Sequence, residues 1–190
     1  MNKLIFSIPI PPGVNEYKKY RVLFQGGRNI PVPYLTKETQ DFKQYMHHLM
    51  TREANKNNWI TPEDNKYIKL SLIFYMNKLG KDADNHIKLI QDSLQETGLV
   101  KNDSKIIPSV KRLFVDKENP RVIIKLEELP WIGVFSDETH RKYFIDENCN
   151  NCKRFKRNCS ILKSLDENKI SKDVNNNITI CNKKTEQKQK

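Results

Sequence analysis

Three aspartates stand out in a basic chain. Asp82 and Asp84 lie two residues apart in "KDADNHIK", and Asp103 follows in "NDSKI". Alternating residues of an extended segment point the same way, so Asp82 and Asp84 can present their carboxylates to one point. A helix beginning at Asp84 that doubles back would bring the Asp103 loop to the same place. Clustered carboxylates repel one another unless a cation sits between them, and hard oxygen donors suit Mg²⁺ or Mn²⁺. In phosphodiester hydrolysis such ions activate water and stabilise the attacking and leaving oxygens. Lys88, four residues beyond Asp84 on that helix, offers positive charge where the transition state gathers negative charge, or a hand to place the water. The plainer reading makes Asp84 a helix cap and Asp82 and Asp103 turn residues. Spacing alone leaves both readings open.

The elements that would position these residues follow from hydrophobic periodicity. "KLIFSIPI" (3–10) alternates Leu4, Phe6, Ile8 and Ile10, the pattern of a strand. The segment from Pro11 to Tyr34 is rich in Pro, Gly and Asn and reads as a loop, with Gly26-Gly27 free to take conformations closed to other residues. Thr36 caps a helix to about Asn55, striped by Phe42, Tyr45, Met46, Leu49 and Met50. "YIKLSLIFYM" (67–76) alternates as a strand. A second helix starts at Asp84 or Asn85, faces inward through Ile87, Ile90 and Leu94, and stops at Gly98. Strands follow at about 106–115 and 120–127, joined by the turn "DKEN". This order predicts an α+β domain over 1–130, a mixed β-sheet with helices packed against it, and a small Cys-rich basic region over 131–190 with a disordered end.

The 190 residues carry 34 Lys and Arg against 23 Asp and Glu, a net charge of +11 and a pI of about 9.4. That balance favours a polyanionic partner, nucleic acid above all, although a solvated lysine-rich surface gives the same number. The N-terminus has only a short apolar run, broken by Pro9, and no later run is long enough for a membrane span, so an intracellular, cytoplasmic protein is expected.

The run D-x-D-N-x-x-K (Asp82, Asp84, Asn85, Lys88), then Asp92 in "IQDSL", then Asp103 in "NDSKI", is similar to the core signature of the RusA family of Holliday junction resolvases. "PIPPGVNEY" resembles that family's P-P-S-x-N segment, with Gly13 where serine is usual. "YLTKETQDFKQYM" resembles its S-x-E-x-x-x-Y/F helix start, with Thr36 for serine and Glu38 kept. The resemblance spans residues 8 to about 127. It implies a RusA-like fold and a Mg²⁺-dependent homodimer that nicks four-way DNA junctions symmetrically, in recombination and repair, of phage or prophage origin. It makes Asp82, Asp84 and Asp103 the metal-binding acids and Lys88 the catalytic lysine. Asn102 departs from a pair of acids common at that point in the family. Asp92 ranks below the other three acids, as second shell or surface. His86, in the first turn of the second helix, reads as structural before metal-binding. His47 and His48, within the first helix, read as structural or phosphate-facing.

Gripping a junction needs several phosphate contacts. Lys18, Lys19, Arg21 and Arg28, interleaved with Tyr17, Tyr20 and Phe24, suit phosphates and exposed bases, and Lys78 and Lys81 flank the acids. Beyond the resemblance, Cys149, Cys152, Cys159 and Cys181 form C-x2-C-x6-C-x21-C. That set suits a structural Zn²⁺, with free thiols, disulfides or an iron–sulfur cluster as the alternatives. The region has too few apolar residues for a convincing core, which a metal would offset, and its loop "KRFKRN" suits phosphates. Two functions remain in competition: an endonuclease for branched DNA, at four-way junctions or at forks and flaps, and a non-catalytic DNA-binding protein using the zinc-stabilised tail.

Overall fold

The computed structural model describes residues 2–185 apart from 14, 15, 17, 79 and 81, and leaves out the side chains of Lys18 and Lys156. The chain divides into two compact units, Met1–Glu128 and Leu129–Lys190.

The first unit is built on a four-stranded mixed sheet. Its strands are β1 (Lys3–Pro9), β4 (Ile68–Met76), β5 (Ile106–Val115) and β6 (Arg121–Glu128), in the order β1-β6-β4-β5. β6 runs antiparallel to both β1 and β4, while β4 and β5 are parallel, with Ile68 opposite Ile106. Alternation does the sorting. Leu4, Phe6 and Ile8 of β1 and Val122, Ile124 and Leu126 of β6 are buried, and their intervening neighbours are not. The buried face meets Met46 and Met50 of helix α1 (Lys37–Lys56) and Ile90 and Leu94 of helix α2 (Ile87–Glu96). Thr36 caps α1 as expected, its Oγ1 accepting the Thr39 N–H at 3.3 Å. Tyr45 departs from the expected stripe and stands about half exposed. The expected α+β class and mixed sheet are what the chain forms.

The 11–34 segment differs from its reading as a loop. Lys18–Gln25 (β2) and Arg28–Leu35 (β3) form a two-stranded antiparallel hairpin separate from the main sheet. Gly26 and Gly27, at φ 58° and 77°, make its turn. Two consecutive positive φ angles match the right-handed twist of the paired strands, and only glycine takes them at no steric cost.

The second unit also has more structure than its composition suggests. Helix α3 (Glu138–Asn148), capped by Asp137, and helix α4 (Ser160–Asp166) frame a core of Phe135, Phe144, Ile161, Leu162, Leu165 and Val174. Cys149 belongs to that core, and Cys159 and Cys181 pack against it. Few apolar residues suffice because short helices place them on one side and the cysteines, small hydrophobes when protonated, fill between them. Residues 186–190, most of the expected disordered end, lie outside the described residues.

Candidate active site

The β4–α2–β5 segment positions the acids. Parallel strands need a crossover that returns the chain to the end where the first strand began. β4 therefore ends shortly before Asp82, α2 runs back along the sheet, and β5 begins beside the start of β4. Asp82 precedes a 3-10 turn, Ala83–His86, that leads into α2, and Asp84 lies within it. Both are exposed, and Asp84 Oδ1 accepts the Asn85 N–H at 3.0 Å. Asp103 follows α2, at the opposite end. The ten residues of α2 alone rise about 15 Å.

Lys88, in the first turn of α2, meets Asp103. Its Nζ lies 2.7 Å from Asp103 Oδ2 and 2.8 Å from Asp92 Oδ1. Hydrogen bonds to Asp103 and then Asp92 raise the Lys88 pKa well above the ordinary lysine range. The same bond from Lys88 is the main cause holding Asp103 below the usual carboxylate range. The Asp103 N–H donates to Gln95 Oε1 at 3.2 Å, and Asn102 Oδ1 accepts the Ser104 N–H at 2.9 Å. Asn102 is thus the cap of the turn that carries Asp103. An amide oxygen does that work as well as a carboxylate, so the departure at 102 keeps the local structure.

A cavity of about 260 Å³ gathers the other two sequence pieces. Pro11, Pro12 and Glu16 from the first, Glu38 from the helix start, and Asn77 and His86 line it. His86 is buried, and its Nδ1 lies 2.7 Å from the Pro11 carbonyl oxygen. It ties the N-terminal segment to the acid-bearing turn, the structural role expected of it. Glu16 and Asn77 went unnoticed in the sequence; Glu16 Oε2 accepts the Gly13 N–H at 3.2 Å. Only the closeness of "PPGVNE" to the family's segment pointed there.

Of the candidate phosphate-binding residues, Lys19, Arg21, Arg28 and Lys78 are exposed. The side chain of Lys18, and Lys81 and Tyr17 entirely, lie outside the described residues. Residues paired across antiparallel strands share a face, and faces alternate along each strand. With Lys19 opposite Tyr34, Arg21 opposite Val32 and Gln25 opposite Arg28, the three hairpin cations share one face. Tyr20 and Phe24, 72% and 76% exposed, occupy the other. His47 and His48 are both exposed on α1.

Among the described residues, no group of three or more His, Cys, Asp or Glu side chains is gathered to hold a metal ion. Asp103 is bonded to Lys88 instead. The exposed Asp82–Asp84 pair nevertheless fits Mg²⁺ in donor type, because that ion often uses one or two carboxylates and takes its other ligands from water and phosphate.

The four cysteines are free thiols. Burial, aided by the charges of Cys159, Cys152 and Cys181, pushes the Cys149 thiol up to about 11. Burial also acts to raise Cys152, but N–H groups of Thr185, Arg154 and Phe155 outweigh it and lower that thiol. Cys149 thus feels the charges of the other three, and all four fit zinc in type, yet neutral thiols have no attraction that would draw them into a ligand set. Thiols must lose their protons before they bind metal.

The model of the endodeoxyribonuclease RusA family matches residues 9–127. The chain belongs to that family. RusA endonucleases are Holliday junction resolvases, metal-dependent nucleases that bind branched DNA. The match covers every element of the first unit except most of β1, and with it the Asp82, Asp84, Lys88 and Asp103 signature. A search of the curated proteins finds no match. Among the described residues, no helix is long and apolar enough to cross a membrane.

Proposed function

We propose that this RusA endonuclease uses Mg²⁺ to cut four-way junctions symmetrically as a homodimer, in DNA recombination and repair in the cytoplasm, and that it derives from a phage or prophage. Residues 1–130 are the endonuclease domain and 131–190 a Cys-rich accessory region. The observation that carries this reading is the Lys88–Asp103 ion pair at 2.7 Å, inside a segment that matches the family throughout.

In this reading Asp82, Asp84 and Asp103 are the metal-site acids and Lys88 the catalytic lysine. Bound Mg²⁺ supplies a water of lowered pKa and charge stabilisation at the scissile phosphate. Asp82 and Asp84 offer the exposed carboxylates that would hold it. Asp103 and Asp92 keep the Lys88 ammonium charged and directed, so that it meets the negative charge developing on the phosphate oxygens. For Asp103 to contribute a metal ligand, its bond to Lys88 must be exchanged, which frees the ammonium for substrate. Lys19, Arg21, Arg28 and Lys78, with Lys18 and Lys81, take phosphates, while the aromatic face of the hairpin suits stacking on exposed bases. Cys149, Cys152, Cys159 and Cys181 are the residues that would hold a structural Zn²⁺.

The test incubates the purified full chain with a synthetic four-way junction and Mg²⁺, alongside Asp103→Asn. Both proteins are expected to bind, with paired symmetric nicks from wild type and cleavage at least about 100-fold slower in the variant. Binding without cleavage by wild type would instead favour the non-catalytic reading. Equal cutting of forks and linear duplex would remove the junction specificity.

A further inference from the structure

We infer that the second unit carries its own binding site for the DNA phosphodiester backbone, in the pocket formed between Cys152 and the start of α4. The pocket, of about 430 Å³, is lined by Lys153, Arg154, Arg157, Asn158, Ser160 and Thr185, with Cys159 among them. Among the described residues no carboxylate is in the lining, and none of the three cations forms an ion pair. Elsewhere in this unit Arg141 pairs with Asp166 and Lys169 with Glu167.

The pocket is held by its backbone. Cys152 N–H bonds the Cys149 carbonyl, Phe155 N–H that of Cys152 and Arg157 N–H that of Arg154. Asn158 then turns the chain at φ 60°, and Lys153 N–H bonds the Thr185 carbonyl. Three like charges kept together on so short a turn repel one another, and an anion relieves that repulsion. Lys and Arg mixed with Ser, Thr and Asn is the donor set that proteins turn toward phosphate oxygens. The choice of DNA over other polyanions rests on the family reading of the first unit.

The test measures binding, not cleavage. The full chain and a Lys153→Gln/Arg154→Gln/Arg157→Gln variant are titrated with a labelled four-way junction in Mg²⁺-free buffer across a range of NaCl. Each phosphate contact contributes about 0.9 to the slope of log affinity against log salt. The variant is expected to bind at least tenfold more weakly at about 0.1 M salt, with a slope shallower by about two to three. Removing three charges elsewhere on the unit (Lys142→Gln/Lys169→Gln/Lys172→Gln) is expected to change affinity less than threefold. If the triple variant melts early, Arg154→Gln and Arg157→Gln singly are each expected to weaken binding about threefold. Unchanged affinity and slope in a folded variant overturn the inference, as does an equal loss in the control. So does a loss that appears with RNA or anionic phospholipid vesicles titrated in the same way but not with the junction. Because no arm needs cleavage, an inactive wild type would count against the endonuclease reading and leave this result readable.

Discussion

At the residue scale, the chemistry centres on what holds Lys88. Two carboxylates share its ammonium, but they differ in origin: Asp92 is one turn along the same helix, whereas Asp103 comes from beyond it. Asp92→Asn leaves the bond to Asp103 and is expected to keep single-turnover junction cleavage within about tenfold of wild type. Lys88→Met removes a charge aimed at the transition state and is expected to slow it about 100- to 1,000-fold with junction affinity little changed. Rates on preformed complexes, started with Mg²⁺, check both. A severe loss in Asp92→Asn with little in Lys88→Met would reverse the assignment. The residue types of this site were legible from the sequence, because D-x-D-N-x-x-K carries them in order. Their partners were not. Spacing places Lys88 one turn from Asp84 and equally one turn from Asp92, and only the path of the chain after α2 selects Asp92 and Asp103.

At the element scale, strands and helices with one buried face were readable, since burial imposes period two or 3.6 on the apolar residues. The β2–β3 hairpin lacks that imprint. Its residues are mostly exposed on both faces, and Pro31 and Pro33 argue against a strand. The surviving signal was Gly26-Gly27 between two extended runs. The main sheet carries a readable charge pattern as well. Glu127 on β6 lies opposite Lys3 of β1 and Lys69 of β4, and bonds Lys125 at 2.7 Å on its own strand. The Lys125 bond, followed by the charges of Lys3 and Lys69, holds the Glu127 carboxyl below its usual range, against a smaller opposing effect of burial. A carboxyl depressed on folding stabilises the folded state above its unfolded value of about 4.3, and that contribution fades as pH falls through the folded value. Glu127→Gln is therefore expected to lower the urea midpoint at pH 7, with a deficit that shrinks as pH falls below about 4. A deficit that stays equal across that range would mean that packing, not charge, is what the substitution removes.

At the scale of the whole molecule, two cores of different quality share one chain. The first unit buries a four-stranded sheet under two helices. The second relies on two short helices, with cysteines among its core residues. Units this small commonly need a metal or covalent cross-link to hold a single fold. The four thiols supply one if zinc replaces their protons and draws them together, and the stability gained depends on free metal, because a site that exists only in the folded state couples binding to folding. Calorimetry of the full chain is then expected to show two transitions. Chelation should lower or abolish the one belonging to Leu129–Lys190 and leave the other in place, with Cys152→Ser reproducing the effect and reducing bound zinc from about one equivalent to near zero. The same treatment should leave the acid-dependent Glu127 behaviour intact, since that residue reports on the first unit alone. A chain that contains no zinc as purified, takes none up, and melts identically with and without chelator would show that the apolar residues and neutral thiols hold the second unit unaided.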